Sequence, residues 1–217
     1  MTSPTDLAAL LCSRLCHDML SPVGALNNGL ELLADESDPE MRQRCLELLE
    51  QSARTSANKL KYFRLAYGAA GGFGDRVPSE EPRELIAALT ADNERVTLEW
   101  AVAEANLAKP AVKVLLNLAS IGLDSLVRGG TLAVGAERND GATEIAIRAA
   151  GPKVAFDPVI GRALSGQLED GELSGRTAPA AMIRQLADEQ GGGIQFAHAG
   201  DALVLGAVLP DPDGMIG

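Results

Sequence analysis

The chain has 217 residues, 46% of them hydrophobic and only 3% aromatic, enough for one sizeable domain or two small ones with a core of Leu, Ala, Val and Ile. Nineteen basic against thirty acidic residues leave a net charge of −11 with no basic stripe, which argues against a nucleic-acid partner. No apolar run reaches the ~18 residues of a membrane span, and the start MTSPTDLAAL lacks the order of a signal peptide, so the expectation is a cytoplasmic protein with no membrane partner.

Residues 4–34 read as one long helix. Ser3-Pro4 suits an N-cap followed by a first-turn proline. Apolar residues recur at 7, 11, 15, 19, 23, 26, 30 and 33, a helical spacing. DESDP at 35–39 is a polar turn, and residues 39–67 carry a second helical stripe through Met41, Cys45, Leu48, Leu49, Leu60, Phe63 and Tyr67. Two such helices, the first roughly 45 Å long, form an antiparallel hairpin. One hairpin cannot cover its own stripe, and two pair into a four-helix bundle, so a homodimer is expected.

GAAGGFGD at 68–75 is a glycine-rich break and is taken as the boundary between a first domain, 1–70, and a second, 71–217. The second reads as helix (81–92), strand (95–103), helix (109–127), a β-hairpin turning at Asn139-Asp140-Gly141, a helix closed by Gly191-Gly192-Gly193, and a hairpin turning at Ala199-Gly200-Asp201. Helices and antiparallel hairpins together make an α+β layer.

The first helix carries His17, one of only two histidines, with Asp18 beside it and Pro22 four residues after Asp18. Taking Leu11, Leu15, Met19 and Val23 as the apolar seam, His17 lies about 200° round the helix from its neighbours in that seam. It therefore points outward. Ser21 and Gly24 leave open space beside it for another protein. Pro22 has no N–H for the carbonyl of Asp18 and should loosen or bend the helix there. An acid beside an outward histidine can orient the ring or take its proton, raising its nucleophilicity. The plainer alternative is an exposed histidine next to a solvating acid.

Cys12, Cys16 and His17 look like a metal cluster but lack the spacing and a fourth ligand, so the cysteines read as small buried apolar residues. His198, near a hairpin turn, reads as structural or merely exposed.

The string H-D-x-x-S-P-x-G, formed by His17, Asp18, Ser21, Pro22 and Gly24, resembles the phospho-accepting box of histidine kinases. The fuller LCSRLCHDMLSPVGALNNGLELL is similar to the ChpT-type bacterial histidine phosphotransferases. The resemblance covers the whole chain and implies a helical dimerisation and phospho-accepting hairpin followed by a degenerate kinase-type (Bergerat-like) α/β sandwich. Three ATP signatures of such a sandwich are eroded here. Asn117 remains where an N-L-x-x-N-A motif begins, but Ile121 stands where the Mg²⁺-binding Asn belongs, and isoleucine offers a cation no oxygen. Ala149 stands for the adenine-binding Asp and Lys153 for a glycine. Gly175 remains of the phosphate loop, interrupted by Thr177, Ala178 and Pro179. The expectation is no nucleotide site and no cofactor of the protein's own.

The resemblance then implies that His17 takes a phosphoryl group from an aspartyl phosphate on one receiver domain and passes it to another. Asp18 orients the ring or handles its proton, and the receiver supplies Mg²⁺. Arg14, Ser21, Pro22 and Gly24 would form the docking surface, with Asn27-Asn28 alongside. For Arg14 and Ser21, solvation or helix packing is the competing account. Implied partners are a CckA-type hybrid kinase and CtrA- and CpdR-type regulators, in cell-cycle control. Two other functions stay open at this stage: an active ATP-dependent histidine kinase, and a non-catalytic dimeric docking module.

Overall fold

The computed structural model describes residues 3–68, 74–91 and 95–211. Helix α1 spans Pro4–Asp35 and α2 spans Pro39–Ala66. Each begins as the sequence dictates, with a side-chain cap and a proline in the first turn. Ser3 accepts from the Thr5 amide and Asp38 from that of Met41. The last turn of α1 has no basic residue. Arg42 of α2 supplies the donor instead, its Nη1 reaching the carbonyls of Leu33 at 3.1 Å and Glu36 at 2.8 Å. The helices pack closely at Gly29, where an added Cβ would lie 2.9 Å from the Leu49 side chain.

The apolar stripe of α1 divides between two faces. Leu7, Pro22 and Gly29 are buried and Leu15 and Met19 pack on the core, but Val23 is 43% and Leu30 56% exposed. The reason is the helical period: each step of four residues advances about 40° beyond a full turn, so positions 11, 15, 19 and 23 walk round the cylinder. The same drift corrects the reading of two cysteines. Cys45 is buried, whereas Cys12 and Cys16 are exposed on a face that α2 does not cover.

The remaining elements are β1 (Arg76–Pro78), α3 (Glu80–Ala91), β2 (Val96–Val102), β3 (Asn106–Ala108), α4 (Lys109–Ser125), β4 (Gly130–Asn139), β5 (Ala142–Ala150), α5 (Pro158–Leu164), α6 (Ala178–Glu189), β6 (Gly193–Ala199) and β7 (Ala202–Pro210). The main sheet runs β2-β4-β5-β7-β6, and β1 and β3 form a small separate ladder. The two expected hairpins are present, the first turning through Asp140 (φ 48°) and Gly141 (φ 78°) as a tight two-residue turn requires. Three features were not visible in the sequence pattern: the β1–β3 ladder, whose strands have only three residues each, the short α5, and the parallel pairing of β2 with β4 across α4. Most of the glycine-rich break, residues 69–73, lies outside the described residues.

Alternate residues of the central strands face α4: Leu132, Val134, Ile145, Ile147, Leu203 and Leu205 are all at most 3% exposed. The foot of α2 joins this core. Tyr62, Phe63, Leu65 and Ala66 are buried in the same cluster as α3 and α4, Tyr62 and Phe63 meet edge-to-face at 5.6 Å, and Phe63 stacks on Tyr67 at 5.6 Å. Tyr62 Oη donates to the Leu116 carbonyl of α4 at 3.2 Å, and its burial pushes the phenol far above its ordinary pKa.

Tyr62→Phe should lose only the hydrogen bond and cost about 1 kcal/mol. Tyr62→Ala should cost about 3–5 kcal/mol, because it opens a cavity where hairpin meets layer. Chemical denaturation of both variants measures the two values.

Candidate functional site

His17 stands on the open side of α1 with its side chain 82% exposed. The side chain of Asp18 is only 23% exposed and both its oxygens are used. Oδ1 lies 3.1 Å from His17 Nδ1, and Oδ2 accepts from Arg14 Nε at 2.6 Å. Arg14 and Asp18 are one turn apart on the same helix, so local geometry alone brings them together. Burial works to raise the Asp18 pKa. The hydrogen bonds from Arg14 and His17 and the charges of Arg14 and Lys59 outweigh it and hold the carboxyl below its usual range. Arg14 is the converse: burial works to lower its pKa, and its hydrogen bond and ion pair with Asp18 hold it above the ordinary value.

An ionised carboxylate only accepts hydrogen bonds, so the His17 Nδ1 facing it carries the proton. The neutral ring then has its lone pair at Nε2. One carboxylate thus selects the tautomer and fixes the ring.

Beside this group lies a groove of about 620 Å³ between α1 and the layer, lined by Ser13, Arg14, His17 and Asp18 on one wall and by α4 and the 155–180 segment on the other. Gly175 brings that segment against α1; a Cβ there would sit 3.8 Å from Arg14 Cβ. Arg176 pairs with Asp157 at 3.1 Å, and the bidentate Arg162–Glu172 pair holds the base of the loop. Thr177 Oγ1 donates to the Glu172 carbonyl at 2.8 Å. Asp124 sits at the rim. It is exposed to solvent on one side, and desolvation on its groove side pushes its carboxyl up, opposed by Arg14, reinforced by Asp18 and opposed again by Arg176. Burial likewise pushes the Tyr67 phenol up to about 12.

The remaining sequence-predicted positions are dispersed. Ser21, Asn27 and Asn28 are exposed, and Gly24 is half-buried with open space where a side chain would project. Pro22 is buried, and α1 continues through it, so its effect is on the helix. Tyr67, Asp124, Asp157, Arg176 and Lys59 had no sequence signal, because each reaches the site from another element.

The segment corresponding to a nucleotide site has different chemistry. The Asn117 side chain donates to the Lys113 carbonyl of its own helix at 2.8 Å. Ile121 lines the groove with hydrocarbon. Ala149 is fully buried, its methyl 3.6 Å from where a Cβ on Gly122 would stand. This donor set does not fit a magnesium nucleotide.

A helical hairpin with an exposed histidine beside an α+β layer is the architecture that comparison with known proteins identifies. The profile of the histidine phosphotransferase C-terminal domain matches residues 79–202, and the chain is 35% identical over 205 residues to the protein phosphotransferase ChpT of Brucella abortus (strain 2308), covering 94% of this chain and 96% of that one. A solved bacterial phosphotransferase superposes with a TM-score of 0.83 at 32% identity, over 95% of this chain and 98% of that one. The histidine kinase AdeS of Acinetobacter baumannii matches at 13% identity and a TM-score of 0.47, over 90% of this chain and 98% of that one. The chain belongs to the histidine phosphotransferase family and is a phosphorelay histidine phosphotransferase.

Asp18 should make stability pH-dependent. Its folded pKa is lowered, so its contribution is present above the unfolded value of 3.8 and is lost as pH falls through the lower folded value. Wild type should therefore exceed Asp18→Asn in stability at pH 7, and the gap should close in acid. Denaturation of both proteins across that range measures it.

Proposed function

We propose that His17 is the phosphoryl acceptor, and that it carries phosphoryl groups between aspartates of receiver domains. The observation that carries this reading is the Asp18 carboxylate at 3.1 Å from Nδ1, with the rest of the ring exposed. The Nε2 lone pair attacks phosphorus in line, an N–P bond forms, the P–O bond to the donor aspartate breaks, and that carboxylate leaves. The product ring keeps its Nδ1 proton and is cationic, and Asp18 neutralises that charge without taking the proton. In the second half, a receiver carboxylate attacks phosphorus and His17 leaves as neutral imidazole. The depressed pKa of Asp18 supports this orienting and charge-balancing role over that of a proton acceptor.

In this reading Mg²⁺ comes with the receiver domain and no nucleotide takes part. Ser21 and Gly24 on the open side of α1, with Arg14 at the groove, form the docking face. Residues 1–70 are the phospho-accepting unit, and 71–217 position the receiver beside it. The relative's name, protein phosphotransferase ChpT, supports a protein partner; the partners in this reading are receivers of a CckA-type hybrid kinase and of CtrA- and CpdR-type regulators, within cell-cycle control in the cytoplasm. Among the described residues no helix is long and apolar enough to cross a membrane.

The homodimer is part of the same proposal. Leu20 is 71% exposed and Leu30 56% on α1, as are Leu46 (49%) and Leu60 (50%) on α2. Such a surface fits pairing of two hairpins into a four-helix bundle. Sedimentation equilibrium should give a dimer for wild type and a monomer for Val23→Glu/Leu30→Glu.

Label transfer tests the chemistry. Wild type mixed with a radiolabelled phospho-receiver should take up label, His17→Ala should not, and ATP alone should label neither. Label arriving from ATP would make the protein a kinase. Receiver binding without label on wild type would leave a docking scaffold.

A further inference from the structure

Pro22 stands four residues after Asp18 and has no N–H to give that residue's carbonyl. The carbonyl is nevertheless partnered. Lys59 Nζ reaches across from α2, 41 residues away in sequence, and donates to Asp18 O at 3.0 Å. In general a proline ring inside a helix crowds the carbonyl four residues back and turns it away from the helix axis. A donor on the facing helix can meet it there.

A half-buried ammonium at a helix–helix seam loses solvation and needs a specific acceptor. Here the acceptor is the backbone of the residue that orients His17. We propose that Lys59 is a positioning residue for phosphoryl transfer, replacing the hydrogen bond that Pro22 removes and so fixing the backbone that carries Asp18 and His17. The inference rests on His17 being the acceptor, as proposed above. It also gives the buried proline a function. Pro22 frees one carbonyl at the reactive turn, and α2 takes hold of it, so the acceptor geometry is set by the second helix as well as the first. A charge-assisted bond from a lysine is stronger than the amide bond it replaces. The side chain lies close enough for its charge to act on the Asp18 carboxylate as well.

The test uses the full-length protein and two readouts. Nitrogen-15 NMR of the imidazoles reports the His17 tautomer, and with only two histidines in the chain the spectrum is simple. Phosphoryl transfer from a labelled receiver, measured at saturating and sub-saturating concentration, separates rate from affinity. Lys59→Met should raise the Nε2–H fraction of His17 and lower the saturated rate on the order of ten- to a hundredfold, with receiver affinity little changed. Pro22→Ala/Lys59→Met has an N–H at residue 22 again for the Asp18 carbonyl, and should recover most of both. A folded Lys59→Met with wild-type tautomer ratio and rate would overturn the proposal. So would a double variant as impaired as the single one, since the carbonyl would then not be what Lys59 serves. If wild type takes no label, the transfer reading fails, while the tautomer ratio still decides whether Lys59 holds Asp18 in place.

Discussion

The arrangement depends on the burial of the foot of α2. Tyr62, Phe63, Leu65 and Ala66 belong to the same apolar core as α3, α4 and the sheet. A hairpin joined to a layer only by a flexible segment would leave the surroundings of His17 undefined. Here the last two turns of α2 are held by α4, and the Tyr62 bond to the Leu116 carbonyl fixes how they sit. The loop at Gly175 then falls beside Arg14, and the groove next to His17 has a second wall. Hydrophobic burial supplies most of the energy, and the aromatic contacts supply the direction.

On that frame a single carboxylate organises the site. Asp18 ties Arg14, His17 and, through its backbone, Lys59. The contacts are of different kinds. The Arg14 pair is local to one helix, one turn apart. The His17 contact joins sequence neighbours and sets a tautomer. The Lys59 contact crosses between helices and answers a gap that Pro22 makes. Because these contacts hold its pKa below the usual range, the carboxylate keeps its charge beside the ring and accepts from it without removing its proton.

In the layer, the side chains at the positions compared with a nucleotide site are engaged within the protein. Asn117 turns its amide onto its own helix, Ile121 offers hydrocarbon to the groove, and Ala149 is part of the core. The loop from Glu172 to Thr177 is tied by the Arg162–Glu172 pair and by Thr177. These interactions are internal, and they leave the face beside His17 open.

The sequence by itself determined whatever is encoded within a few residues. The ends of α1 and α2 follow from Ser3-Pro4 and Asp38-Pro39, the hairpin turns from Asp140-Gly141 and Gly200, and the outward aim of His17 from the helical period. His17, Asp18, Ser21 and Pro22 were legible as a set because they lie within six residues of one helix. The tertiary structure alone decided what depends on partners distant in the chain. Lys59 against Asp18, Arg176 with Asp157, Asp124 at the rim, and the pairing of β2 with β4 leave no local pattern. The two exposed cysteines were misread for the same reason: periodicity shows that a residue lies on an apolar face of a helix, but packing decides which of two such faces a neighbour covers.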